Sequence, residues 1–202
     1  MEMRNTLATL CTLLAFVATG YSLTCTECLS WNGMPCSGTS VTCSANEVCA
    51  SLFMGIFLGT SSISMTASSC APKEDCGISG SLSFPSSKTT FASSCCSTDY
   101  CTPAKPALPD IVNKYNGLTC PACVSVESDQ CDPGERMLCT GNENMCYWQT
   151  TVWPGVSSDI EMRGCATKSV CDLVSAGPSS LFKPLNVSSN SFCTSQAFPV
   201  SH

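Results

Sequence analysis

Apolar and polar positions in this chain alternate in short runs and nowhere hold a helical period. Stretches rich in Thr, Val, Ser and aromatic residues are separated by turn signals at Asn32-Gly33, Pro72-Lys73, Pro85-Ser86, Pro133-Gly134 and Pro154-Gly155. That rhythm predicts strands joined by tight turns. No apolar stripe recurs every 3.6 residues over the length of an ordinary helix, so the expected fold class is all-β. Two stretches stand out by their density of large apolar side chains: LFMGIFLG, from Leu52 to Gly59, and YWQTTVWPGV, from Tyr147 to Val156.

A third apolar run, Leu7 to Ala18, follows Arg4 and precedes small residues. It is too short for a membrane span, which needs about 20 apolar residues. Residues 1–22 therefore read as a secretory signal, and the expected location is extracellular. The tail after Cys193, TSQAFPVSH, has no hydrophobic stretch, so no membrane anchor is expected there.

Secretion changes the meaning of the 19 cysteines. Cys11 leaves with the signal, and the even number that remains suits complete pairing in an oxidising compartment. Cysteine is then about one residue in ten, the density of a disulfide scaffold. Cross-links replace much of a core that the scarce large apolar side chains cannot build.

The cysteines also repeat. From Cys25 the intervals are x2, x7, x6, x5, x20, x5 and x18, through Cys28, Cys36, Cys43, Cys49, Cys70 and Cys76 to Cys95. From Cys120 they are x2, x7, x7, x6, x18, x5 and x21, through Cys123, Cys131, Cys139, Cys146, Cys165 and Cys171 to Cys193. LTCTECLSWNGMPC is echoed by LTCPACVSVESDQC, and CSANEVC by CTGNENMC, so one module occurs twice. Residues 102–116, with three prolines and no cysteine, have the composition of a linker between modules 23–101 and 117–202. The first module adds Cys96 and Cys101, so each has an even count.

Cys25-x-x-Cys28 has the spacing of a redox dithiol or half a zinc site. On a strand, however, these two residues lie roughly 10 Å apart and point to opposite faces, while a disulfide needs Cα atoms within about 7 Å. They must seek different partners. Adjacent Cys95 and Cys96, with Cα atoms about 3.8 Å apart, must do the same. Secretion and the even count disfavour zinc, and the βαβ context of a redox motif is missing.

The residues then carry a family resemblance. Leu23-x-Cys25-x-x-Cys28, two short gaps, the long loop to Cys70 and SCCSTDYC (Ser94 to Cys101) resemble the lymphocyte-antigen-6/urokinase-receptor domain, the LU domain with a three-finger fold. The resemblance implies bridges Cys25–Cys49, Cys28–Cys36, Cys43–Cys70, Cys76–Cys95 and Cys96–Cys101. In the second module it implies Cys120–Cys146, Cys123–Cys131, Cys139–Cys165 and Cys171–Cys193. Two features depart from the pattern: Thr102 follows Cys101 where many LU domains have Asn, and the second module lacks the final bridge. Within the family, CTGNENMC, Gly164-Cys165 and the linker ending in Asn116-Gly117 resemble the gamma-type phospholipase A2 inhibitors. NGLTC, CTGNENMC and RGCATKSVCD are similar to the amphibian sodefrin precursor-like factors, which are secreted courtship pheromones.

Charge and inventory narrow the function. Nine basic and fifteen acidic residues give a net charge of −6, which disfavours nucleic acid and anionic membranes. The only histidine is the terminal His202, so no Ser/His or Cys/His nucleophile and no histidine metal site is expected. Asp129, Asp132, Asp159 and Glu161 read as solvated loop charges, not as an acid/base pair. No enzyme activity, cofactor or metal is expected. The expected partner is a protein: a secreted phospholipase A2 on the inhibitor resemblance, a cell-surface receptor on the pheromone resemblance. Self-association and hetero-association both stay open. Candidate contact residues are Phe53, Met54, Ile56, Phe57 and Leu58 in the first module and Tyr147, Trp148 and Trp153 in the second, because exposed apolar runs and aromatics mark binding surfaces. For each, packing inside the protein is the competing account. Asn186-Val187-Ser188 is an expected N-glycosylation sequon.

Overall fold

The computed structural model describes residues 22–126, 131, 134–152, 159–177, 180–185 and 188–195. The signal expected over residues 1–22 therefore lies, apart from Ser22, outside the described residues.

The first half is built from β1 (Thr24–Trp31), β2 (Thr39–Thr42), β3 (Glu47–Leu58), β4 (Ser61–Pro72), β5 (Ser79–Phe84) and β6 (Ser87–Cys96). They form three antiparallel hairpins, β1/β2, β3/β4 and β5/β6, with β4 also paired to β1 and β3 to β6. The turn signals of this half act as expected. Asn32 and Gly33 take φ of 53° and 76°, and the Met34 N–H donates to the Trp31 carbonyl at 3.1 Å. Positive φ at both central residues is what a two-residue primed turn requires, and Asn-Gly supplies it at least cost. Pro85-Ser86 separates β5 from β6.

The second half contains β7 (Tyr115–Pro121), β8 (Cys123–Ser125), β9 (Arg136–Thr140), β10 (Met145–Val152), β11 (Ile160–Ala166), α1 (Lys168–Ser175), a 3₁₀ turn at Ser180–Leu185, and β12 (Ser188–Thr194). Tyr115 and Asn116, expected at the end of the linker, already belong to β7. The fold is all-β and disulfide-rich in two modules, and among the described residues it has one α-helix that the sequence pattern did not show. Val170, Cys171 and Leu173 of α1 are buried, but eight residues are too few for a helical period to stand out.

Each module has a base of stacked disulfides. Cys25–Cys49, Cys28–Cys36, Cys43–Cys70, Cys76–Cys95 and Cys96–Cys101 close the first. Cys120–Cys146, Cys123–Cys131, Cys139–Cys165 and Cys171–Cys193 close the second. Cys25 and Cys28 both sit on β1 and leave it for different partners, as do adjacent Cys95 and Cys96. Each bridge contributes about 2 to 4 kcal/mol, chiefly by restricting the unfolded chain.

The modules do not hang on a free tether. One ten-stranded sheet runs through both, in the order β12-β10-β11-β5-β6-β3-β4-β1-β2, with β8 also on β11. The seam is short: Cys165 pairs with Ser83 and Ala166 with Leu82. Thr167 N–H extends it by donating to the Ser81 carbonyl at 3.0 Å, and Ser81 N–H returns a bond to Thr167 Oγ1 at 3.1 Å. Two glycines permit this approach. A Cβ at Gly164 would lie 2.0 Å from the Ser83 carbonyl oxygen, and one at Gly80 would lie 2.5 Å from Thr167 Oγ1.

Behind the seam lies a core to which both modules contribute. Ala50, Leu52, Ala67, Ala71, Phe84 and Phe91 of the first pack with Tyr147, Ala166, Val170, Leu173 and Leu181 of the second. Phe84 and Tyr147 meet with ring centroids 6.3 Å apart. Beside it, Glu143 is 1% exposed. Its Oε1 faces Lys88 Nζ at 3.1 Å and accepts from Ser81 Oγ at 2.6 Å and Ser83 Oγ at 2.9 Å, all across the module boundary. A buried carboxylate needs such partners, since an unpaired charge in this setting costs several kcal/mol.

Three outcomes follow from this seam. Gly164→Ala should separate β5 from β11, costing about 1 to 3 kcal/mol, seen as faster amide exchange in both strands. Lys88→Ala should destabilise the protein by about 3 to 5 kcal/mol in denaturant titration, because it strands the Glu143 carboxylate. Burial pushes the Tyr147 hydroxyl from 10.0 up to about 12, opposed by a hydrogen bond with Ser191. The folded state thus prefers the protonated phenol, so this contribution is complete below pH 10 and is lost as pH rises through about 12. Tyr147→Phe should lessen the alkaline fall in melting temperature over that window.

Candidate functional site

The longest hairpin, β3/β4, carries the apolar run Leu52–Gly59, and its register sorts the side chains. Leu52 opposes Ala67, Met54 opposes Met65, Ile56 opposes Ile63 and Leu58 opposes Ser61. Alternation along a strand places these on one face and Phe53, Gly55 and Phe57 on the other. At its base the first face is covered by the second module, and Leu52 is wholly buried. Toward the tip the cover ends: Ile56 is half-buried, Ile63 is 37% exposed and Leu58 is 44% exposed.

The opposite face is covered from within the chain. Phe53 is buried, with Lys105 Nζ 3.8 Å above its ring. Leu108, also from the segment between modules, lines a shallow cleft with Gly55 and Phe57. Phe53 is therefore an intramolecular contact and not a docking residue. Met54 packs against the shared core. The proline-containing segment covers this face because an uncovered aromatic ladder would face water, and a cation over an aromatic ring is favourable.

Finger one joins the tip of finger two. Trp31 opposes Met65 in the β1/β4 register. Asn32 N–H donates to the Ser64 carbonyl at 2.7 Å, and Ser64 N–H donates to Asn32 Oδ1 at 3.3 Å. Trp31 (41% exposed) thereby shares a face of the sheet with Ile63 and Leu58, and Met34 (64% exposed) follows in the turn. Sequence reading missed Trp31, Met34 and Ile63, because they are isolated apolar residues among polar ones, and only strand register puts Trp31 and Ile63 on one face. One signal was available: no acidic or basic side chain occurs in residues 28–46 or 48–72.

In the second module Tyr147 and Trp148, adjacent on β10, go to opposite faces of the strand. Tyr147 is 3% exposed in the shared core, its hydroxyl donating to Gln149 Oε1 at 2.9 Å, so it is not a surface contact. Trp148 stacks on Phe192, with centroids 5.1 Å apart, and packs against the disulfide base of its own module. Tyr147 fills the core because the module has few other large side chains, whereas Trp148 is half-buried in a stack whose other ring, Phe192, is 54% exposed. Trp153 and the Asn186 sequon lie outside the described residues, as do Asp129, Asp132 and His202.

A second surface lies where the modules meet. Ser79, Gly80 and Lys88 of the first module, Pro109, Asp110 and Val112 of the connecting segment, and Asn142, Asn144, Thr167 and Lys168 of the second line a polar cleft. Lys168 pairs with Asp172 at 2.5 Å, and Lys88 is held by Glu143. Glu161 pairs with Arg163 at 2.6 Å. The sulfurs of Cys25, Cys43 and Cys70, and of Cys120, Cys139 and Cys165, cluster within 4.8 Å, but every one is in a disulfide and offers no thiolate to a metal.

Comparison with known proteins places this architecture. The u-PAR/Ly-6 domain model matches residues 21–104 and again residues 116–197. A gamma-type phospholipase A2 inhibitor chain of Elaphe climacophora is 32% identical over 166 residues, 80% of this chain and 82% of that protein. Phospholipase A2 inhibitor NAI of Notechis ater is 30% identical over 168 residues, 81% of this chain and 83% of that protein. The urokinase plasminogen activator surface receptor of Aotus trivirgatus is 31% identical over 97 residues, 47% of this chain and 29% of the receptor. Two repeats of one cysteine framework, two disulfide bases and two matches to one domain model lead to a single assignment: the chain belongs to the u-PAR/Ly-6 domain family, with two copies of its domain.

Proposed function

We propose that this protein is a secreted, non-enzymatic binding protein that inhibits a secreted phospholipase A2 by covering part of its surface. The observation that carries the reading is similarity along both modules, over about four-fifths of each chain, to proteins named phospholipase A2 inhibitors. The rigid seam suits such a role. Two modules held as one body lose little orientational freedom on docking, and that loss is a main cost of association.

The surface we assign to the enzyme is the cleft between the modules. Protein interfaces combine a packed centre with a hydrogen-bonding, charged rim. Pro109 and Val112 with Asp110, Asn142, Asn144 and Lys168 provide that mixture, and the fingertips of the first module do not. The net charge of −6 favours a basic partner and accelerates its encounter.

Purified protein should inhibit at least one member of a panel of secreted phospholipases A2 at micromolar concentration, with a short-chain substrate kept monomeric so that only protein contact can act. No inhibition across the panel overturns the proposal.

A further inference from the structure

We propose that the paired fingertips of the first module form a docking site for the zwitterionic surface of a phospholipid layer. This site is separate from the cleft assigned to the enzyme, and the inference stands whether or not the protein inhibits a phospholipase.

Four observations carry it. First, Trp31, Leu58 and Ile63 are exposed at neighbouring tips and share one face of the sheet, and Met34 is exposed in the turn that follows Trp31. Trp and aliphatic side chains of this kind partition into the headgroup and upper acyl region of a bilayer.

Second, the tips are free of charge. The chain has nine basic and fifteen acidic residues, and none falls in 28–46 or 48–72. Asn32, Ser61, Ser62 and Ser64 supply neutral hydrogen-bonding groups instead. A protein partner would ordinarily find a charged rim around an apolar centre; the charge beside these tips, Lys88 opposite Phe57 on β6, is mostly buried and turned to Glu143. A charged group forced toward hydrocarbon is costly, so this composition suits lipid.

Third, the backbone of the second fingertip, and of Asn32 beside it, is paired. The β3/β4 ladder continues to Leu58 opposite Ser61, and Asn32 bonds both the N–H and the carbonyl of Ser64. Shallow insertion of these side chains leaves those paired groups satisfied, which a low-dielectric layer demands.

Fourth, the remainder of the chain is acidic, with a net charge of −6. That repels anionic headgroups and leaves a phosphocholine surface as the match.

The test is partitioning of the purified protein onto phosphatidylcholine vesicles, followed by sedimentation and by tryptophan emission, with a parallel series containing phosphatidylglycerol. Binding to phosphatidylcholine with a blue-shifted emission is expected, weakened by phosphatidylglycerol at low salt. Leu58→Asp and Ile63→Asp should each lower the partition coefficient about tenfold. Both positions are partly exposed, so melting temperature and thiol content should match the wild type and report retained folding. No binding at millimolar phosphatidylcholine overturns the proposal. So does tighter binding to the anionic vesicles, or wild-type partitioning by both variants. If the variants lose inhibition of a phospholipase on monomeric substrate while vesicle partitioning is unchanged, the tips hold a protein and the lipid assignment is wrong.

Discussion

The seam between β5 and β11 determines what every other surface of this molecule can present. Only Ser83 with Cys165 and Leu82 with Ala166 pair across it in the ladder, yet it turns two hairpin arrays into one sheet. Such a contact needs backbones to touch, and Gly164 and Gly80 remove the side-chain atoms that would hold them apart. Once the strands meet, α1 lies against β5 and the 3₁₀ turn against β4 and β3, and an apolar core forms that neither module holds alone. Lys183 of that turn reaches Glu27 of β1 at 3.3 Å, a partly exposed pair that adds registration more than stability.

The disulfides and the shared core do different work. In each module, four buried cysteines stack at the base and hold the fingers in order. Covalent links do that where apolar side chains are scarce, because they restrict the unfolded chain and do not depend on buried area. They say nothing about how one module sits on the other, since no bridge crosses between them among the described residues. Orientation is left to weak interactions acting together: the seam, the Phe84–Tyr147 contact, and the Glu143 network with Lys88, Ser81 and Ser83. A buried carboxylate is a demanding device for that purpose, because it tolerates only the arrangement that satisfies it.

The same division shapes function. Face by face, the β3/β4 hairpin is covered by the second module on one side and by Lys105 and Leu108 on the other, until the cover runs out at the tip. What remains exposed is apolar and uncharged, whereas the cleft between the modules is polar and carries ions. Two surfaces of opposite character on one rigid body can engage two different surroundings at once.

The sequence by itself determined the cysteine framework, the duplication, the strand-and-turn rhythm and the absence of charge from the tips of the first two fingers, because spacing and composition are local properties. The motifs CTGNENMC and RGCATKSVCD were visible as resemblance, but their physical role was not: Glu143, Gly164 and Thr167 act on residues of the first module some sixty to ninety positions away. Strand alternation could not tell which face of Leu52–Leu58 would be covered, so Phe53 and Tyr147 read as contacts while Trp31 and Ile63 went unnoticed. Only the tertiary structure decided those points. Burial depends on which elements lie across a face, and that was set by close approach at two glycines and by the partners that Glu143 Oε1 finds across the module boundary.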